Sequence, residues 1–310
     1  MKKIILDTDI GGDCDDMGAL AILHRAFRKG LIDWKAITIS TGNPFSAACA
    51  DAVNKYYNVE IPIGQIGRSV PGDLGVDFDL FYGKYIAEKF DNSFYPNGKK
   101  PQDAVRLLRR VLSKNRGEKV TVVMIGFSSN IADLLLSKND DISPMSGSEI
   151  LAASVDEIIM MGCNFYGEDD FESECGEETV HAEWNIKCDI PSAQMLFNNS
   201  PVPITICPFS VGYQLMSGAK IISSEPDNPV SAAYEVHSHG DRDSWDPATV
   251  YYAVFKDEEC FAVSDRGTVQ INSQGVSKFV KGHGNHRILF CKDRSGLKEK
   301  LDKAMQGIFA

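Results

Sequence analysis

Along this chain, short apolar runs of strand length alternate with longer segments in which apolar residues recur every three to four positions. The runs KKIIL (residues 2–6), WKAITIST (34–41), IPIGQI (61–66), KVTVVMI (119–125), EIIMM (157–161) and PITIC (203–207) read as strands. Between them, Leu20, Leu23 and Phe27 recur at helical spacing, which predicts a helix from Asp16 to about Lys29, ended by Gly30. Residues 45–57 and 101–115 read as further helices, the second with Pro101 at its start. Strands alternating with helices predict an α/β fold, a mainly parallel central sheet with helices on both faces and right-handed crossovers. The carboxyl ends of successive strands then meet at one edge.

Residues 228–255 are helical on both sides of a break, SHGDRDSWDP, where Asp246 reads as a helix cap and Pro247 as its first turn. Short β runs at 261–263, 269–272, 279–281 and 287–291 predict a small antiparallel excursion near the C-terminus, closed by a helix over 295–309. GHGNH (282–286) reads as a turn. Residues 68–100, with Pro71, Gly72, Gly75, Pro96 and Gly98 around a short helical pattern, read as ordinary surface, with a loop over the site as the alternative. The acidic loop 168–178 reads as a solvated segment. No repeat, low-complexity tract or linker interrupts the chain, so 1–310 reads as a single domain.

Composition narrows the partners. A hydrophobic content of 43% supports a substantial core, and a formal net charge of -11 with no basic block argues against nucleic acid and anionic membranes. The 8 cysteines are scattered without a C-x-x-C pair, so free thiols and a cytoplasmic setting are expected. The apolar run at the N-terminus is far too short for a signal core, although a removed signal peptide would leave no trace, and no segment approaches a membrane span.

The chemistry concentrates in DTDIGGDCDDMGAL (7–20), where Asp7, Asp9, Asp13, Asp15 and Asp16 follow a strand through the Gly11-Gly12 turn into a helix start. A helix N-terminus favours negative charge, and carboxylates at a strand's carboxyl end suit a hard cation. A helix-capping acidic turn would explain one Asp pair but not five carboxylates. An EF-hand fails, because counting from Asp7 puts Gly11 and Gly18 where ligands belong. A Mg²⁺-dependent phosphohydrolase with Asp7 as nucleophile is the chemical rival. His237 and His239 with Asp241 lack a fourth ligand and read as surface or packing residues.

The Asp-rich stretch resembles the N-terminal signature of the inosine/uridine-preferring nucleoside hydrolases, in the variant with two extra residues before the Asp pair. Further stretches are similar in order and context: Gly42-Asn43, VTVVMIGFSSNIADLL (120–135), AEWNIKCD (182–189) and SWDPATVYYAV (244–254). The resemblance implies Ca²⁺ held by Asp9, Asp16, the Ser129 backbone carbonyl and Asp246. It further implies that Asp9 takes a proton from water, that Asp15, Glu183, Asn185 and Asn43 bind the ribose, and that the protein is a homo-oligomer, a homodimer or homotetramer. Its substrate would be a small ribosyl compound in nucleoside salvage.

Three departures stand out. Trp245 replaces the His that many relatives carry before Asp-Pro, so it either stacks on a base or packs in the core, and His237, His239 or His181 would have to supply the acid. Glu177 stands where relatives have a sugar-contacting Asn, which suits a different hydroxyl pattern or a cationic aglycone. The two-residue lengthening leaves Asp13 as an extra ligand, a group behind the ligands or a solvated turn residue, the last two being favoured. A ribose-binding relative that lost its acid is the non-enzymatic alternative.

Overall fold

The computed structural model describes residues 1–96, 98–165 and 181–309. The strands are β1 (Lys2–Thr8), β2 (Ile32–Ile39), β3 (Ile63–Gln65), β4 (Gln102–Asp103), β5 (Val120–Met124), β6 (Val155–Met161), β7 (Ile204–Cys207), β8 (Met216–Ser217), β9 (Arg242–Asp243), β10 (Phe261–Val263), β11 (Gly267–Ile271), β12 (Ser277–Lys281) and β13 (His286–Cys291). Among the described residues they form an 11-stranded sheet in the order β12-β11-β13-β7-β6-β5-β1-β2-β3-β4, with β10 on β13, and a small β8-β9 ribbon. From β4 to β13 every neighbouring pair is parallel.

Side-chain alternation along β1 assigns its residues to two layers. Ile4 and Leu6 pack with Leu20 and Leu23 of helix Asp15–Arg28 on one face, while Ile5 packs with Leu108, Ile131 and Leu196 on the other. Helices therefore cover both faces, as a mainly parallel sheet requires. No helix among the described residues is long and apolar enough to cross a membrane.

Local readings shift in three places. The C-terminal excursion is antiparallel only in β10, β11 and β12, because β13 lies parallel beside β7, with His286 opposite Ile204 and Ile288 opposite Ile206. The helix expected from Pro101 begins at Ala104, since Asp103 accepts the Arg106 N–H at 2.9 Å and residues 102–103 pair with β3. Ser244 rather than Asp246 precedes the helix Trp245–Phe255, which leaves the Asp246 carboxylate free of the capping duty assigned to it.

The connectivity positions the site. β1 leads outward to β2, β3 and β4, and the chain then returns to place β5 on the opposite side of β1. That reversal opens a crevice beyond the carboxyl ends of β1 and β5, the usual ligand position in open α/β sheets.

Candidate active site

A cavity of about 1010 Å³ occupies this crevice. The turn after β1 contributes Asp9 and Gly12; the ends of β2, β5 and β6 contribute Asn43, Ile125 and Met161. Close backbone approach makes the junction possible. Gly11 has φ +114°, and a Cβ there would lie 2.7 Å from Asn43 Nδ2; a Cβ on Gly126 would lie 2.5 Å from the Asp9 nitrogen.

Asp15 and Asp16 open helix Asp15–Arg28, and Asp246 sits in the first turn of Trp245–Phe255, so two helix N-termini meet at the crevice. Ligand atoms of Asp15, Asp16 and Asp246 lie within 4.8 Å of one another, and all three residues are buried. Asp15 Oδ2 accepts the Asp246 N–H at 3.0 Å, and Thr8 Oγ1 donates to Asp16 Oδ1. Burial, then repulsion by neighbouring carboxylates including Asp9 and Asp13, raises all three carboxyls well above the ordinary range. Asp9 is pushed up to about 8 by burial and by the charges of Glu183, Asp13 and Asp7. A set of crowded, oxygen-only donors fits a hard cation.

The cavity brings together Asp9, Asp15, Asp16, Asn43, Glu183, Asn185, Trp245 and Asp246. The tightest acidic group joins Asp16 and Asp246 to Asp15, which the family pattern assigns to ribose. Ser129 is buried at the start of helix Ser129–Leu136, and its Oγ donates to Asp189 at 2.6 Å, so only its backbone is available for the ligand role. Glu183 caps helix Trp184–Cys188, accepting the Asn185 N–H at 2.9 Å and the Ile186 N–H at 3.2 Å. Asn185 Nδ2 donates to the Ile125 carbonyl at 3.1 Å. Glu177 and the acidic loop lie outside the described residues.

Asp7 corrects the phosphohydrolase alternative. Its side chain is fully buried and stands behind the cavity wall, where Thr38 Oγ1 donates to Oδ2 at 2.5 Å and Asn130 Nδ2 at 2.8 Å. Burial raises its carboxyl to about 7. A nucleophile needs access to substrate, and this oxygen pair has none.

The segment 68–100, read as ordinary surface with a loop over the site as the alternative, follows the alternative in part: it contributes Gly72, Asp73, Val76, Phe78 and Phe81 to the cavity. It is held down because Gly72 packs where a Cβ would lie 2.5 Å from Cys188 Cβ, and Asp73 accepts the Gly42 N–H at 2.6 Å and the Thr41 hydroxyl at 2.8 Å. Opposite, Trp245 stacks on Phe209 at 5.3 Å and Phe209 on Tyr213 at 5.3 Å, while Trp245 Nε1 donates to the Phe209 carbonyl at 3.0 Å. Trp245 is thus packed against Phe209 and also lines the cavity.

Asp13 lines the cavity, part-exposed, and is paired with two side chains. Arg242 Nη2 donates to Asp13 Oδ2 at 2.6 Å, Arg242 Nε reaches Oδ1 at 3.0 Å, and His237 Nε2 lies 3.3 Å from Oδ1. Burial pushes this carboxyl up, but the bonds from His237 and Arg242 outweigh it and hold it well below the usual range. The Arg242 guanidinium also lies over the Trp245 ring, 5.1 Å from its centroid. His181 and His237 line the cavity; His239 does not.

Comparison with known proteins gives the same frame. An uncharacterized protein of Schizosaccharomyces pombe is 28% identical over 232 residues, 71% of this chain; the match spans 65% of that relative's length, less than two thirds. An inosine-uridine preferring nucleoside hydrolase from Bacillus anthracis shares the fold with a TM-score of 0.73 at 12% identity, covering 99% of this chain and 100% of that one. A structure of an inosine-guanosine nucleoside hydrolase superposes with a TM-score of 0.69 at 15% identity, covering 99% of each chain. The family model for inosine-uridine preferring nucleoside hydrolase matches residues 4–294, and the chain belongs to that family.

Proposed function

We propose that the protein hydrolyses the N-glycosidic bond of a ribonucleoside, with Ca²⁺ held by Asp9, Asp16, Asp246 and the Ser129 backbone carbonyl. The observation that carries this reading is the convergence of Asp15, Asp16 and Asp246 within 4.8 Å at the reversal point of the sheet. Carboxylate and carbonyl oxygens favour a hard divalent ion over a thiophilic one. When bound, the cation supplies positive charge that favours ionisation of water and an oxygen-seeking centre that orients ribose hydroxyls.

The remaining roles belong to the chain itself. Asp9 accepts the proton of the attacking water. Asp15, Asn43, Glu183 and Asn185 hydrogen-bond the ribose. As the bond from C1′ to the base nitrogen lengthens, positive charge builds on the sugar, and the surrounding carboxylates stabilise it. The stacked face of Trp245, backed by Phe209, offers a flat wall to the aglycone.

The test is release of reducing sugar from p-nitrophenyl riboside, inosine, uridine and nicotinamide riboside by wild type and Asp9→Asn. The reading expects turnover of at least one substrate that the variant loses by roughly 10²-fold or more. Binding of ribosides without turnover by wild type would instead establish the binding-protein alternative.

A further inference from the structure

We infer that His237, oriented by Asp13, is the group that protonates the departing base, so that the lengthened turn and the Trp245 replacement form one compensating arrangement. The inference rests on the reading of the site as an N-ribosyl hydrolase. Two of the chain's departures from the family pattern meet here. The lengthened turn delivers Asp13, and Asp13 binds Arg242 and His237, which come from the segment that also carries Trp245.

Geometry singles out His237 from the other cavity groups. It is the last residue of helix Pro229–His237, and its side chain lines the cavity. Nε2 faces Asp13 Oδ1 at 3.3 Å, and the ring stands edge-on to Tyr82 with centroids 6.1 Å apart. Tyr82 is itself fixed, since its hydroxyl accepts the Gly11 N–H at 2.9 Å. A carboxylate on one imidazole nitrogen sets the tautomer and leaves the other nitrogen for proton transfer.

The competitors are engaged or unsuited. Trp245 has its side-chain N–H on the Phe209 carbonyl, and an indole N–H does not ionise near neutral pH. Arg242 holds Asp13 through a fork and cannot give up a proton. His181 lines the cavity, but no side-chain hydrogen bond among the described residues orients it.

The step balances. The electron pair of the C1′–N bond passes to the base nitrogen, which takes the proton of His237; water oxygen bonds C1′ and yields its proton to Asp9. The products are free base and ribose; Asp9 releases its proton to solvent and His237 regains one from solvent. Asp13 touches neither substrate nor reacting atom and is a positioning residue.

The experiment compares inosine, whose base leaves poorly without a proton, with p-nitrophenyl riboside, whose phenolate leaves unaided. Values of kcat/KM are measured for wild type, His237→Ala, Asp13→Asn and His181→Ala. The inference expects the ratio of inosine to p-nitrophenyl riboside to fall by roughly 10²-fold or more in His237→Ala. A smaller fall, in kcat rather than KM, is expected in Asp13→Asn, and no change of ratio in His181→Ala. An unchanged ratio in His237→Ala, or a collapse in His181→Ala instead, overturns the assignment while leaving the hydrolase reading intact. Wild type that cleaves only p-nitrophenyl riboside also overturns it, and wild type that cleaves neither overturns the hydrolase reading on which it rests.

Discussion

Replacing Asp246 by Asn should stabilise the metal-free protein while removing its response to Ca²⁺. Asp246 lies with Asp15 and Asp16 inside a 4.8 Å cluster. At that separation and an effective dielectric of about 20, each ionised pair repels by roughly 3.5 kcal/mol. Unfolding entropy of about 2.1 cal/mol/K per residue over 310 residues makes 1 kcal/mol worth about 1.5 °C, so relief of one pair raises Tm by about 5 °C. The pH dependence has a definite sign. A carboxyl raised above its unfolded value of 3.8 costs nothing at lower pH and destabilises increasingly as pH climbs toward the folded value. The advantage of Asp246→Asn is therefore absent near pH 4 and largest at neutral pH and above. Ca²⁺ at about 100 times its Kd should raise the wild-type Tm by about 4 °C and leave the variant unmoved. Thermal melts of both proteins from pH 4 to 8, with chelator and with Ca²⁺, read all three effects. Equal Ca²⁺ shifts in the two proteins, or an Asn variant less stable at pH 7.5, would refute the reasoning.

Three other outcomes follow from the structure. His286 accepts the Val269 N–H on Nδ1 at 2.9 Å, and burial lowers its pKa to about 4, so stability present above pH 6.5 is lost as pH falls through 4, by roughly 3 kcal/mol; denaturant titrations of wild type and His286→Asn should show the acid limb flattened in the variant. Gly212→Ala places a Cβ 2.4 Å from Trp245 Cα and should cost about 2 kcal/mol in denaturant unfolding, with weaker binding of aromatic aglycones than of ribose. Arg109 is buried and spans Asp140, Ser137 and the carbonyls of Ser143 and Met145, so Arg109→Met should lower stability by roughly 3 kcal/mol without altering KM.

The parts of this molecule that a reader of the sequence could anticipate are those whose cause is local. β1 and the helix Asp15–Arg28 follow from an apolar run, a glycine turn and helical periodicity, all within 28 residues. The acidic stretch announced an acidic site, because its five carboxylates fall within ten residues, and three acidic groups do converge at the crevice. Helix starts were less legible: the helix read from Pro101 begins after the Asp103 cap, and the helix read as capped by Asp246 begins at Trp245. Long-range partners left no local trace. Asp13 and Arg242 are 229 positions apart, and neither has a periodic neighbourhood that points to the other. The 68–81 segment reads as surface by composition, yet it closes the cavity because Gly72 meets Cys188 and Asp73 binds the Thr41-Gly42 turn. The parallel docking of β13 on β7 likewise depends on an edge that only the finished sheet presents.

The central claim, that this acidic crevice works as a metal-dependent N-ribosyl hydrolase, is tested most directly by adding Ca²⁺ back to chelated enzyme. The observable is kcat/KM for p-nitrophenyl riboside, in wild type and in Asp246→Asn. The account predicts that chelation abolishes turnover, that Ca²⁺ restores it along a saturating curve in wild type, and that the variant stays inactive throughout. Turnover that survives complete chelation, or that Ca²⁺ restores equally in Asp246→Asn, would contradict it.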